Sequence, residues 1–192
     1  MLRTVLLTLL TLTIAIGGGA ASVWLALGEG VGAVDVGGWT TFPDIATQDA
    51  DPYSRARAAR DGRLSLGHNE GLAFAAMRDS AGDALRRDCA YTVEGTMPAA
   101  RLWTLYATDP QGTAVPTGTR RDNFLSSWAV LFLPDDSLAI TVGTRPAPGN
   151  WLATSGSGPM RLVLTLYDTP LAGDAGLTDI VMPQVLKAGC DD

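Results

Sequence analysis

Residues 4–27, TVLLTLLTLTIAIGGGAASVWLAL, hold no charged side chain. As a helix rising ~1.5 Å per residue, such a run is long enough to cross a hydrocarbon layer of roughly 30 Å. In lipid every backbone N–H and C=O has to be satisfied within the segment, so a helix is the only conformation open to it there. Arg3 precedes the run and the first acid is Glu29. That charge order places the N-terminus in the cytoplasm and the rest of the chain outside. The competing reading is a cleaved signal peptide, because GGGA ending at Ala20 offers small residues for cleavage. The apolar run continues through Val23, Trp24 and Leu27, which favours a retained anchor. Both readings export the remainder of the chain. The expectation is a single-pass protein of the bacterial inner membrane with its domain in the periplasm: residues 1–27 as anchor, 28–38 (GEGVGAVDVGG) as linker and 39–192 as one domain.

The exported part is acidic. Without residues 1–27 it carries 13 basic and 20 acidic side chains, a net charge of −7. A domain of that charge with no basic stripe argues against nucleic acid as partner. Lys187 is the only Lys among fourteen basic residues, an Arg bias read as that of a GC-rich bacterial genome. Hydrophobic residues make up 46% of the chain, enough for a packed core.

The two cysteines are Cys89 and Cys190. A pair in an exported domain points to a disulfide, closing a loop of about 100 residues. Two Cys and a single His, His68, make a metal site improbable, and no metal or cofactor is expected.

The segment WTTFP reads as the first extended piece of the domain. A short helix comes next in DPYSRARAARDG, with Asp51 as cap, Pro52 at the first helical position and Gly62 past its end. Its arginines Arg55, Arg57 and Arg60 read as a solvated face. From there the pattern is of strands and turns. Strands are expected in GLAFAAMRD (71–79), AYTVEG (90–95), ARLWTLYAT (100–108) and MRLVLTLYDTP (160–170). SSWAVLFL (126–133) and LAITVG (138–143) read as a hairpin about PDDS, and DPQG after Thr108 as a tight turn. Strands at short intervals with no βαβ rhythm predict a mainly β fold: an antiparallel, jelly-roll-like β-sandwich with one short helix, preceded by an N-terminal transmembrane helix.

Four separated stretches, DPYSRARAARDGRLSLGHNEGLAF, YTVEG with PAARLWTLYATD and QG, DDSLAITV, and GNWLATSGSGPMRLVLTLYDTP, occur in this order. Together they resemble the domain-of-unknown-function family 1214, from about Trp39 to Cys190. The resemblance implies a β-sandwich of jelly-roll type and no agreed reaction. It also implies that larger relatives carry a second β domain before this one, where the present chain has its apolar segment. The chain departs from the family pattern at two points. The usual Asp-Gly-Ser turn is Asp135-Asp136-Ser137, and Trp128 stands after Ser127 where relatives often carry Glu.

No phosphate-binding loop, dinucleotide fingerprint, nucleophile elbow or HExxH motif occurs. GSGPM (156–160) reads as a loop, and His68 in LGHNEG as a surface or capping residue. Glu70 with Asp79 or Glu94 is the pair that a carboxylate hydrolase would need. The more specific set is aromatic and polar: Trp103, Arg120, Asn150 and Trp151, able to stack on and hydrogen-bond a small polar ligand. The same aromatics also serve as core, their polar tips satisfied by backbone. Trp151, in a loop read from GNW, either closes the end of the sandwich or lines a mouth. Three functions stay open: a binding or accessory module of the cell envelope, a carboxylate-dependent envelope hydrolase, and a module that docks an envelope protein without a small ligand.

Overall fold

A computed structural model describes residues 2–28, 32–48, 50–61, 66–67, 70–118, 121–172 and 180–190. His68, Gly62 and Arg120 lie outside the described residues.

Helix α1 spans Leu2–Gly28. Its apolar stretch Leu2–Leu25 is 24 residues long and none of it is buried against protein. Its hydroxyls are turned back into the helix: Thr8 donates to Val5 O, Thr11 to Leu7 O, Thr13 to Leu9 O and Ser22 to Gly18 O. Polar atoms satisfied in this way suit an environment without water. Helix α2, Pro52–Asp61, starts as the sequence predicts. The carboxylate oxygen Oδ1 of Asp51 accepts from Tyr53 N at 2.9 Å and Ser54 N at 3.0 Å, satisfying two free donors of the first turn.

The remainder is two β-sheets face to face. The larger holds six antiparallel strands in the order β1 (Val34–Val36), β2 (Trp39–Thr41), β3 (Gly71–Ala76), β9 (Arg161–Tyr167), β5 (Leu102–Thr108) and β6 (Phe124–Ser126). The smaller holds β10 (Gln184–Cys190), β4 (Cys89–Gly95), β7 (Leu138–Gly143) and β8 (Asn150–Ala153). The fold is mainly β, as expected. Alternation explains the strands: Trp103, Leu105 and Ala107 of β5, Phe74 of β3 and Leu162, Leu164 and Leu166 of β9 point inward. They meet Tyr91 and Val93 of β4, Ile140 and Val142 of β7, and Leu152 of β8. One close approach needs glycine. A Cβ on Gly71 would stand 2.1 Å from Leu166 O, so any side chain there would break the β3–β9 ladder.

Three local readings change. The stretch expected as linker contains β1, which pairs with β2 about Gly37 and Gly38, both at positive φ. The expected hairpin of 126–133 with 138–143 does not form: the first strand ends at Ser126 and pairs with β5, while β7 pairs with β4. Its apolar run is genuine, but residues 128–133 have no strand partner. GNW is not a loop, since Asn150 and Trp151 open β8, which runs parallel to β7 with Ile140 opposite Asn150. Parallel neighbours normally need a connection of a dozen or more residues. Here residues 144–149 suffice, because β8 begins only about three residues back along β7, roughly 10 Å, within the reach of an extended six-residue loop.

Cys89 begins β4 and Cys190 ends β10, opposite each other in the ladder. Their Sγ atoms are 2.06 Å apart, the separation of a disulfide.

Candidate ligand groove and the fate of the candidate residues

The outward face of the four-stranded sheet carries a groove. Strand register sets Gln184, Glu94 and Ala139 in one row, and Leu186, Thr92, Thr141 and Trp151 in the next. These are the positions between the inward Val93, Ile140 and Leu152, so the same alternation that builds the core leaves Glu94, Ala139 and Gln184 exposed on this face. Leu133, Val181 and Met182 wall one end of it, enclosing a groove of about 410 Å³ with Glu94, Thr96, Ser137 and Gln184. Glu94 is exposed, forms no ion pair among the described residues, and is the one titratable group lining the groove. A second hollow, about 330 Å³, lies at the opposite end among Ala90, Thr141, Gly143, Arg145 and Gly189. A lone carboxylate in such a groove binds a cation or hydrogen-bond donors.

The residues expected to form an aromatic site are spread through the fold. Trp103 is 4% exposed inside the core, on β5 of the larger sheet. Asn150 and Trp151 belong to β8 of the smaller one. The Asn150 amide is fully engaged: Nδ2 donates to Leu131 O at 2.7 Å and Ala139 O at 3.1 Å, and Oδ1 accepts from Leu131 N at 2.7 Å. Trp151 is 7% exposed, its Nε1–H donates to Gly143 O at 3.0 Å, and the Arg121 guanidinium lies 5.5 Å from the ring centroid. The neighbour of the expected Arg120 therefore stacks on this indole. Trp151 is buried with its polar tip satisfied.

Glu70 and Asp79 stand apart. β3 separates Glu70 from Asp79 by a six-residue strand, about 17 Å. Asp79 is buried in its turn, where Oδ1 accepts from Ala81 N and Asp83 N, while Oδ2 is buried without a hydrogen-bond partner. Carboxyl pairs of glycosidases stand about 5–9.5 Å apart across the bond they break. Near this turn Tyr91 accepts from Arg86 N at 2.9 Å, and burial pushes its hydroxyl above the ordinary value, so it remains a neutral phenol. Asp88 is held below its ordinary 3.8 by hydrogen bonds from the Arg86 side chain, at 2.9 and 3.1 Å. Among the described residues no group of three His, Cys, Asp or Glu side chains is arranged to hold a metal ion.

Residues 70–171, more than half of the chain, match the model of a family described as a protein of unknown function, DUF1214. The chain belongs to this family. No curated protein matches it. Among solved structures, this DUF1214 chain is similar to the VPA0106 protein of Vibrio parahaemolyticus, at 18% identity and a TM-score of 0.56 over 72% of the chain. A looser superposition, TM-score 0.41 at 16% identity over 93% of the chain, relates it to an uncharacterized protein from Burkholderia cenocepacia. The chain covers 36% of the first protein and 51% of the second. The Vibrio likeness is one of fold.

Sequence reasoning missed the groove. Its signal was present in the exposed, small Ala139 between buried Leu138 and Ile140.

Proposed function

We propose that this DUF1214 chain is a binding module of the bacterial cell envelope, held to the inner membrane by α1 with its two-sheet domain in the periplasm. The apolar span of α1, its full exposure over Leu2–Leu25 and its back-bonded hydroxyls support the anchor. The cysteine pair supports an oxidising compartment. The observation that carries the binding reading is the groove at Glu94, with one carboxylate, neutral polar groups and an apolar wall. Its chemistry suits a small polar ligand bearing an amine or hydroxyls.

The test is thermal unfolding of the full chain in detergent micelles with a panel of amine-bearing and neutral envelope sugars and lipid head groups. A ligand present at about 100 times its Kd adds ~2.7 kcal/mol and raises Tm visibly. Glu94→Gln, at an exposed position, leaves the unliganded Tm unchanged and removes the shift. If no compound shifts Tm, or if Glu94→Gln keeps the shift, the groove is not the site. Turnover of the ligand would instead favour the hydrolase.

A further inference from the structure

Residues 124–134, FLSSWAVLFLP, contain no charge. After β6 they join neither sheet and leave Trp128 81%, Leu131 69%, Phe132 48% and Leu133 49% exposed. Looseness does not explain this exposure, because the backbone is tied at short intervals. Ala129 N donates to Ser126 O at 2.9 Å, Asn150 holds both polar groups of Leu131, and Leu133 N donates to Ser137 O at 2.8 Å. Asp136 N in turn donates to Leu133 O at 3.0 Å. A buried amide is used to hold the Leu131 backbone in place while its side chain faces outward.

The topology fixes where this loop points. Val34 pairs with Thr41, Thr41 with Phe74, and Phe74 with Leu164, so β1 enters the six-stranded sheet from the end at which β3 begins. Leu102 and Gly71 both pair with Tyr167, so β5 begins at that end too, and β6, antiparallel to β5, leaves there toward Trp128. The anchor side and the apolar loop therefore share one end of the domain. From the last residue of α1, Gly28, to the first of β1, Val34, the chain can span no more than about 20 Å.

We propose that residues 128–133 seat in the bilayer surface as a second contact, fixing how the domain stands on the membrane. This rests on the reading of α1 as a membrane anchor. Trp and Phe favour the level of the lipid head groups, where an aromatic body meets hydrocarbon and the indole N–H meets water. Asp122, Asp135 and Asp136 flank the loop, with no basic side chain between them. The contact is therefore apolar, suits zwitterionic lipid, and persists at high salt.

The experiment uses the full chain carrying Trp24→Phe in phosphatidylcholine vesicles. The other tryptophans, Trp39, Trp103 and Trp151, are buried, so Trp128 reports on the loop. The expected result is emission quenched by brominated lipid and shielded from iodide, unchanged in 1 M NaCl and lost when Trp128→Phe is added. Flotation with the vesicles is measured on the same samples. If the protein floats but Trp128 stays open to iodide and blind to brominated lipid, the second contact is overturned and the anchor stands. If Trp128 is shielded from both quenchers, protein covers it and the lipid contact is overturned. If the protein does not float, the anchor reading falls and takes this inference with it.

Discussion

Asn150 and Leu131 are joined by two hydrogen bonds of 2.7 Å, each the reverse of the other, so that one side-chain amide pairs with a backbone as a strand would. A loop whose apolar run reads like a strand is thereby docked on β8 without entering a sheet. Asn150→Leu leaves the N–H and C=O of Leu131 without their partner and should cost about 2–3 kcal/mol. For a domain of this size that is a fall in Tm of roughly 5–10 °C. Hydrogen exchange should speed up at Leu131 and stay slow at Ile140 in the core. Equal acceleration at both would mean that Asn150 supports the whole sheet and not this loop.

The Cys89–Cys190 link spans 101 residues of sequence. The chain-entropy treatment gives up to ~4.7 kcal/mol for a loop of that length. Cys89→Ser with Cys190→Ser should therefore lower Tm by about 10 °C or more, and reductant should do the same to the natural chain but not to the double variant. The pair closes one end of the β4–β10 ladder, so fraying of β10 should be the first change seen by limited proteolysis.

Asp136 has φ 60°, left-handed backbone in the turn before β7. An L side chain is strained there, Asp less than most, and Val more. Asp136→Gly should leave stability equal or slightly higher, while Asp136→Val should lower it by about 1–2 kcal/mol. Urea midpoints of the three proteins give the order directly. Asp135 and Ser137, which cap the turn through hydrogen bonds of 2.7 and 3.2 Å, stay in place in both variants.

Asp88 titrates below its ordinary 3.8 because the Arg86 side chain donates to its charged form. A lowered folded-state value means that its stabilising contribution is complete above 3.8 and is lost as pH falls through the folded value. Asp88→Asn should leave Tm nearly unchanged at pH 2 and lower it modestly at pH 7, flattening the acid limb of the Tm profile. An identical Tm difference at both pH values would show that packing, not charge, accounts for the effect.

Periodicity and end signals were legible in the chain itself. The uncharged run became α1, Asp51-Pro52 opened α2, and the alternating stretches around Val93, Leu105, Ile140 and Leu164 became core strands. Each of these is a local property, set by side-chain direction, helix capping or the absence of charge. The apolar run in residues 126–133 was misleading, because a strand needs a neighbour and Ser126 is the last residue to find one. Whether Trp151 faced a ligand or sealed an edge depended on Gly143 O and Arg121, contacts made across the fold. Asn150 looked like a ligand donor until its amide met Leu131. The chain alone determined that this would be a two-sheet β domain behind an apolar helix. Only the tertiary structure decided which polar groups were consumed in holding it together and which, like Glu94, were left facing solvent, because hydrogen-bond satisfaction is decided by neighbours in space and not in sequence.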